Sequence, residues 1–280
     1  MTYEYMIADV FTDVALKGNP LAVYLDAAGL SPRQMQRIAR EMNLSETAFI
    51  LPPENGGDAL VRIFTPVNEL PFAGHPILGT SIVLAHILPN DILHLETAMG
   101  TIPIHLDRTA RSGVISASMQ QPIPVWESYS ESGHLLEALG IESPTLPVTA
   151  YRNGPCHVFV GLRDEESLTR VRPDLRALAE HKDMAANVFA PARGHWRMRM
   201  FSPAYGVAED AATGSAAGPL AIHLARHGLI EFGERIEILQ GVEMGRPSHM
   251  FATAHTTEGR LDAVEVSGSA VVIARGTLLL

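Results

Sequence analysis

Cysteine is almost missing from this chain: Cys156 stands alone among 280 residues. An intrachain disulfide, a two-thiol redox couple, a cysteine-rich zinc site and a pair of thiol acid/base catalysts are all excluded by that count. Positive charge is scarce as well. With 21 lysines and arginines against 31 acidic residues the formal net charge is −10, and no basic stripe exists to neutralise phosphates, which argues against nucleic acid as a partner. Long apolar runs are absent too. The most apolar helical stretch, Ile77 to Leu88, is too short for a bilayer core of ~30 Å and contains Thr80, Ser81 and His86, so no membrane span is expected. The opening residues, Met1 to Val10, lack a basic segment followed by a long apolar one and read as a first strand, from which a cytoplasmic location is expected. No Gly-x-x-x-x-Gly-Lys-Ser/Thr loop and no Gly-x-Gly-x-x-Gly after a strand offers a seat for nucleotide phosphates. A Gly-x-Ser-x-Gly elbow is missing also: around Ser267 the positions that need glycine hold Glu265 and Ser269.

What the chain does have is a doubled phrase. Arg62-Ile-Phe-Thr-Pro66 precedes the glycine turn Phe72-Ala-Gly-His-Pro76, and Arg199-Met-Phe-Ser-Pro203 precedes Asp210-Ala-Ala-Thr-Gly-Ser215, each turn leading into an apolar helical segment. A strand–turn–helix unit that occurs twice implies duplicated half-domains, and the length suits two domains. Two helix N-termini facing one cleft would offer unpaired backbone N–H groups to a small carboxylate, so a small anionic ligand is expected.

Elsewhere, Tyr3–Phe11 and Gly18–Tyr24 read as strands joined by a polar loop. Ser31-Pro32 supplies an N-cap and a first-turn proline for a helix that ends near Asn43. Thr47–Leu51 and Leu60–Thr65 are neighbouring strands around the Asn55-Gly-Gly turn. The pattern weakens between Asp107 and Glu127, through Arg111-Ser-Gly113 and Gln120-Gln-Pro-Ile-Pro124, which reads as an interdomain connection with the boundary near 121. The second half carries strands at Cys156–Leu162, Ala186–Ala190 and Trp196–Phe201, a helix after Ser215 stopping at Gly228, and strands at Glu234–Leu239, Ser248–Ala254 and Val264–Ala274.

Four side chains could do chemistry. Glu46 shares strand parity with Ala48 and Ile50, and burial would raise its pKa toward a useful range, although a solvated glutamate after a helix is the plainer reading of the residues alone. His75 lies between Gly74, which lets backbone approach a ligand, and Pro76 at the helix start, where its imidazole could pass a proton. Asp210 and Ser215 bracket the second turn, and with the Gly214 amide they could bind a carboxylate or shuttle a proton. Helix capping competes as an explanation, but the run of small residues around them is more than a cap needs. His223 and His227, one helical turn apart, lack both the glutamate of the zinc-protease pattern and a third ligand, so they read as helix surface and no metal is expected.

In order along the chain, Asp9-Val-Phe-Thr with Gly18-Asn-Pro-Leu-Ala-Val, Asn43-Leu-Ser-Glu-Thr-Ala-Phe, Arg62-Ile-Phe-Thr-Pro, Phe72-Ala-Gly-His-Pro-Ile-Leu-Gly-Thr, Glu209-Asp-Ala-Ala-Thr-Gly-Ser-Ala and Gln240-Gly-Val-Glu-Met-Gly-Arg-Pro-Ser resemble the phenazine-biosynthesis PhzF-like isomerases, relatives of diaminopimelate epimerase. The resemblance implies an α+β fold of two similar lobes, each a curved, mostly antiparallel sheet wrapped around a central helix. Residues 1–121 form one lobe, joined by about 275–280, and 122–274 form the other, with the site in the cleft between them. It also implies a homodimer and no cofactor. By position Glu46 matches the family's acid/base glutamate, His75 and Asp210 its assisting residues, and Gly74, Gly214 and Ser215 its ligand-facing turns. The implied reaction moves a proton within a cyclic, conjugated amino acid such as trans-2,3-dihydro-3-hydroxyanthranilate. Asp210-Ala211-Ala212 departs from the proline that many relatives have after the aspartate, so a looser loop is expected. The alternatives are an isomerase or epimerase of another small amino or hydroxy acid, and a non-catalytic small-acid binder.

Overall fold

The computed structural model describes residues 1–109 and 115–280, so the Arg111-Ser-Gly113 part of the expected connection lies outside the described residues. The first half runs β1 (Thr2–Val10), β2 (Asn19–Tyr24), α1 (Pro32–Met42), β3 (Thr47–Leu51), β4 (Ala59–Phe64), β5 (Glu69–Leu70), α2 (Gly74–Ala85), β6 (Ile92–Thr97), β7 (Gly100–Asp107) and β8 (Ile115–Gln120). The second half runs β9 (Val125–Ser128), α3 (Ser132–Leu139), β10 (Thr149–Arg152), β11 (Cys156–Gly161), α4 (Glu165–Thr169), α5 (Leu175–Leu178), β12 (Ala185–Pro191), β13 (Trp196–Ser202), β14 (Val207–Asp210), α6 (Gly214–Arg226), β15 (Arg235–Gln240), β16 (Ser248–Thr257) and β17 (Arg260–Leu279).

The duplication read from two short phrases extends through the topology. β2 pairs with β3 in parallel and β4 with β6 in parallel, and the second half repeats both pairings as β11 with β12 and β13 with β15. The remaining pairings among the described residues are antiparallel, so each lobe is a mostly antiparallel sheet. Each sheet wraps one helix. α2 packs against strands β1, β2, β3, β6, β7 and β8, and all twelve of its residues are buried. A helix apolar on every side is stable only when surrounded, and the curved sheet surrounds it. α6 occupies the equivalent place against β11, β16 and β17. It ends as expected, with Gly228 at φ +70° just beyond its C-cap His227. Among the described residues no helix is long and apolar enough to cross a membrane.

Several sequence readings change. The weak stretch before residue 121 contains a regular strand, β8, in which Ile115, Ala117 and Met119 are buried and alternate with Ser116, Ser118 and Gln120. Small and polar residues hid that period-two pattern. β17 is longer than expected and crosses between lobes. It pairs with β16 up to Ser267, with β8 over Glu265–Ala270, and then with β1 from Ala270 to Leu279, well before residue 275. His223 is not helix surface. It is fully buried among Tyr151, Phe159 and Phe189, with its Nδ1 3.1 Å from the Tyr151 hydroxyl. The apolar rings of distant strands made that face interior, which helical spacing of two histidines could not reveal.

Candidate active site

The N-termini of α2 and α6 meet tip to tip. A Cβ built on Gly74 would lie 2.5 Å from Gly214 C and from Ser215 N, and one built on Gly214 would lie 3.0 Å from His75 N. Only glycines permit this approach. Neither helix has a side-chain cap: the N-cap residues are Ala73 and Thr213, and no side chain accepts from the first turn of either helix. Asp210 and Ser215 are thus not caps. Ala216 N bonds back to Thr213 O at 3.0 Å and Pro76 has no N–H, so it is the amides ahead of them in each first turn that lack an intrahelical carbonyl partner, which leaves two positive helix ends at one place.

A narrow cavity of about 30 Å³ lies beside the two tips, lined by Glu46, Thr65 and Ala73 from one lobe and by His157, Asp210 and Ser215 from the other. Thr65 and Ser202, the matching residues of the two doubled phrases, both face it. Of the residues singled out in the sequence, Glu46, Asp210 and Ser215 reach this cavity, and His75 lies directly against Glu46. Gly74 and Gly214 are outside the lining, pressed against each other.

Glu46 is not solvated: its side chain is 14% exposed, and Oε2 lies 3.0 Å from His75 Nδ1. That approach lacks hydrogen-bond alignment, so Oε2 has no hydrogen-bond partner, and neither has the buried His75 Nε2. Both faces of β3 are buried, and the face that Glu46 shares is the one on which Ala48 and Ile50 join the core around α2, whereas Phe49 on the other face packs with α1. The αL cap at Asn43, whose N–H bonds to Ala39 O, turns the chain from α1 toward that strand.

Asp210 is tightly held. Its Oδ1 accepts from Asn19 Nδ2 at 2.8 Å and Ser45 Oγ at 2.7 Å, and its Oδ2 accepts from Thr213 Oγ1 at 2.7 Å. Burial first, and the Glu46 carboxylate second, push its pKa from 3.8 up to about 6, against the lowering influence of His75, Ser45 and Thr213. The loop after it is not loose. Gln240 Nε2 donates to Asp210 O at 2.9 Å, its Oε1 accepts from Thr213 N at 3.1 Å, and Ala211 and Ala212 are buried. Side-chain amide bonds supply here the restraint that a proline would give the backbone.

A carboxyl whose folded pKa exceeds its unfolded one binds its proton more readily in the folded state. Its contribution therefore favours folding as pH falls from about 6 toward 4 and opposes folding above about 6. A rise from 3.8 to about 6 corresponds to ~3 kcal/mol. Asp210→Asn is expected to be more stable relative to wild type at pH ~7.5 than at pH ~4 by roughly that amount. Urea unfolding of both proteins at the two pH values measures it, and a constant difference would contradict it.

Ser215 is oriented by a buried chain that the sequence did not disclose. Asn187 Nδ2 donates to Ala185 O at 2.9 Å and lies 3.4 Å from His157 Nδ1, while His157 Nε2 lies 3.0 Å from Ser215 Oγ. Burial pulls His157 down to about 3, so it is neutral. With Nδ1 accepting, Nε2–H donates to Ser215, whose own hydroxyl hydrogen is free to point into the cleft. Pro219 lies inside α6 and cannot bond to Ser215 O, and Asn153 Nδ2 takes that carbonyl instead at 2.9 Å. Asn19, Ser45, His157 and Gln240 are the site's unforeseen members. A polar residue in an otherwise apolar strand, His157 before Val-Phe-Val, was the available signal.

A sequence model of the family described as phenazine biosynthesis-like protein matches residues 8–276. The chain belongs to that family. Among its relatives, a trans-2,3-dihydro-3-hydroxyanthranilate isomerase from Pseudomonas fluorescens is 62% identical over 99% of this chain and 100% of its own length. The protein of the same description from Pseudomonas aeruginosa is 58% identical over 98% of both. A solved phenazine biosynthesis protein of the PhzF family from Bacillus anthracis superposes with a TM-score of 0.88 at 24% identity, covering 100% of both chains, which establishes the bilobal α+β fold. This phenazine biosynthesis-like protein is an isomerase, as its full-length relatives are.

Proposed function

We propose that the protein isomerises trans-2,3-dihydro-3-hydroxyanthranilate by proton transfer through Glu46. The observation that carries this reading is the unpartnered Oε2 of Glu46, buried in the cleft 3.0 Å from His75 and beside two uncapped helix ends. The relatives that share about three residues in five with the whole chain bear the name of that reaction.

The compound's own bonds explain why one carboxyl suffices. Ring carbon C3 bears the hydroxyl, and two conjugated double bonds connect it to C1, which bears the carboxylate. Loss of the C3 proton leaves an anion spread along the diene into that carboxylate. Return of the proton to C1 shifts both double bonds and leaves an enol at C3, which becomes a ketone. Glu46 takes the proton and delivers it, moving between carbons on one ring face. The helix ends and the Ser215 hydroxyl hold the carboxylate as negative charge grows on it. His75 and Asp210 assist, Asp210 by sitting close to Glu46 with a proton affinity near neutrality. The ligand is thus a small anionic amino acid.

Incubation of the purified protein with the dihydro compound in D₂O, followed by NMR, tests the substrate. Disappearance of the diene protons with growth of a ketone product is the expected result. A spectrum unchanged after hours at micromolar enzyme would remove this substrate from consideration.

A further inference from the structure

Gln240-Gly-Val-Glu-Met-Gly-Arg-Pro-Ser248 is only partly used by the site so far: Gln240 fastens the Asp210 loop, whereas Arg246 does not line the cavity. Its guanidinium nevertheless spans the lobes. Nη2 donates to Asp9 Oδ1 at 2.6 Å and to Lys17 O at 2.8 Å, and Nε donates to Gly18 O at 2.7 Å. Asp9 is fully buried, and its other oxygen accepts from Leu16 N at 2.6 Å. Leu16 has left-handed backbone at φ +67°, which costs energy for a residue with a side chain, so the turn that Arg246 and Asp9 bracket needs such bonds to hold it, whereas Gly18 adopts its φ of +66° freely. The next residue is Asn19. Its Nδ2 donates to Asp210 Oδ1 and to Ala212 O at 2.9 Å, and lies 3.5 Å from His75 Nδ1. On the other side the 241–246 turn rests on the Asp210 loop, since a Cβ on Gly241 would fall 2.6 Å from Ala211 O.

We propose that Arg246 is a positioning residue, which by fixing the 16–18 turn sets Asn19 and through it the mutual placement of Asp210, His75 and Glu46. This rests on the proton-transfer reading above. A guanidinium is needed because three acceptors must be met in one plane from two nitrogens, which an ammonium cannot do.

Arg246→Lys keeps the charge against Asp9 and loses the fork. It is expected to lower kcat roughly 10- to 100-fold, as a small misplacement of reacting groups does, with KM within about threefold of wild type. Asn19→Ala is expected to behave alike, and the double variant to be no slower than Asn19→Ala alone, because both changes break one chain of contacts. Multiplying effects, or wild-type kcat in Arg246→Lys, would overturn the proposal, as would a loss confined to melting temperature. If Arg246→Lys does not fold, Arg246→Gln combined with Asp9→Asn leaves no buried charge unpaired and takes its place. The side-chain ¹⁵N resonances of His75 give a readout without substrate. They are expected to move in the same sense in Arg246→Lys and Asn19→Ala, and unchanged resonances count against Arg246. Should wild type fail to convert the dihydro compound while these resonances shift together, the substrate assignment fails and the positioning role stands.

Discussion

Glu46→Gln is expected to lower turnover of the dihydro compound by at least ~10²–10⁴-fold, the usual contribution of a positioned general acid/base. The fold should be untouched. Glutamine has the same shape, and Glu46 Oε2 has no hydrogen bond to lose. The variant should therefore melt within a degree or two of wild type. Binding of a carboxylate product should also persist, because the helix ends and Ser215 are unchanged, so the loss should fall on kcat and not on KM. Stopped NMR or absorbance assays at several substrate concentrations separate the two, and near-normal kcat would take the proton-transfer role away from Glu46.

The second large effect is structural. Gly74→Ala places a methyl group 2.5 Å from two backbone atoms of the opposite turn, Gly214 C and Ser215 N, and 3.1 Å from Gly214 Cα. Flexible side chains can swing aside, but these atoms belong to the first turn of a buried helix. The two tips must separate, and overpacking of this kind costs ~1–3 kcal/mol or more. Activity should fall further than stability, because the same separation pulls the amides of both turns out of register with one another. Gly133→Ala is the control. Gly133 is an exposed residue of α3 with open space around its Cβ position, and alanine there should be neutral or stabilising by up to ~1 kcal/mol. Equal melting temperatures for the two alanine variants would show that the tips do not meet as described.

Much of the architecture was legible because local chemistry and tertiary context agree. Ser31 caps α1 with Pro32 in the first turn and a capping box from Gln34, and Asn43 closes the helix in the left-handed region. β3 runs from Thr47 to Leu51 as its β-branched and aromatic content suggests. The doubled Arg-x-Phe-Thr/Ser-Pro phrase reported the pseudo-symmetry because each copy builds one wall of the same cavity. What stayed hidden depends on partners far away in sequence. Asn19 is 191 residues from Asp210, and His157 is 58 from Ser215, so no local pattern links them. β8 was missed because Ala117 and Ser118 carry little hydrophobic contrast, although their strand is fixed by β7 and β17 on its two sides. His223 looked like a surface residue because its helix was judged without the three aromatic rings that enclose it.

The twenty-residue strand β17 links the last residues of the chain to the first. During synthesis the ribosome releases β1 roughly 260 residues before its neighbour from Ala270 to Leu279 exists, so the opening strand waits with one edge unsatisfied while the rest is made. Pairings of such wide sequence separation form slowly and leave strand edges open to wrong partners. A nascent chain stalled short of residue 270 should accordingly be protease-sensitive at its amino end, even with the second half already compact.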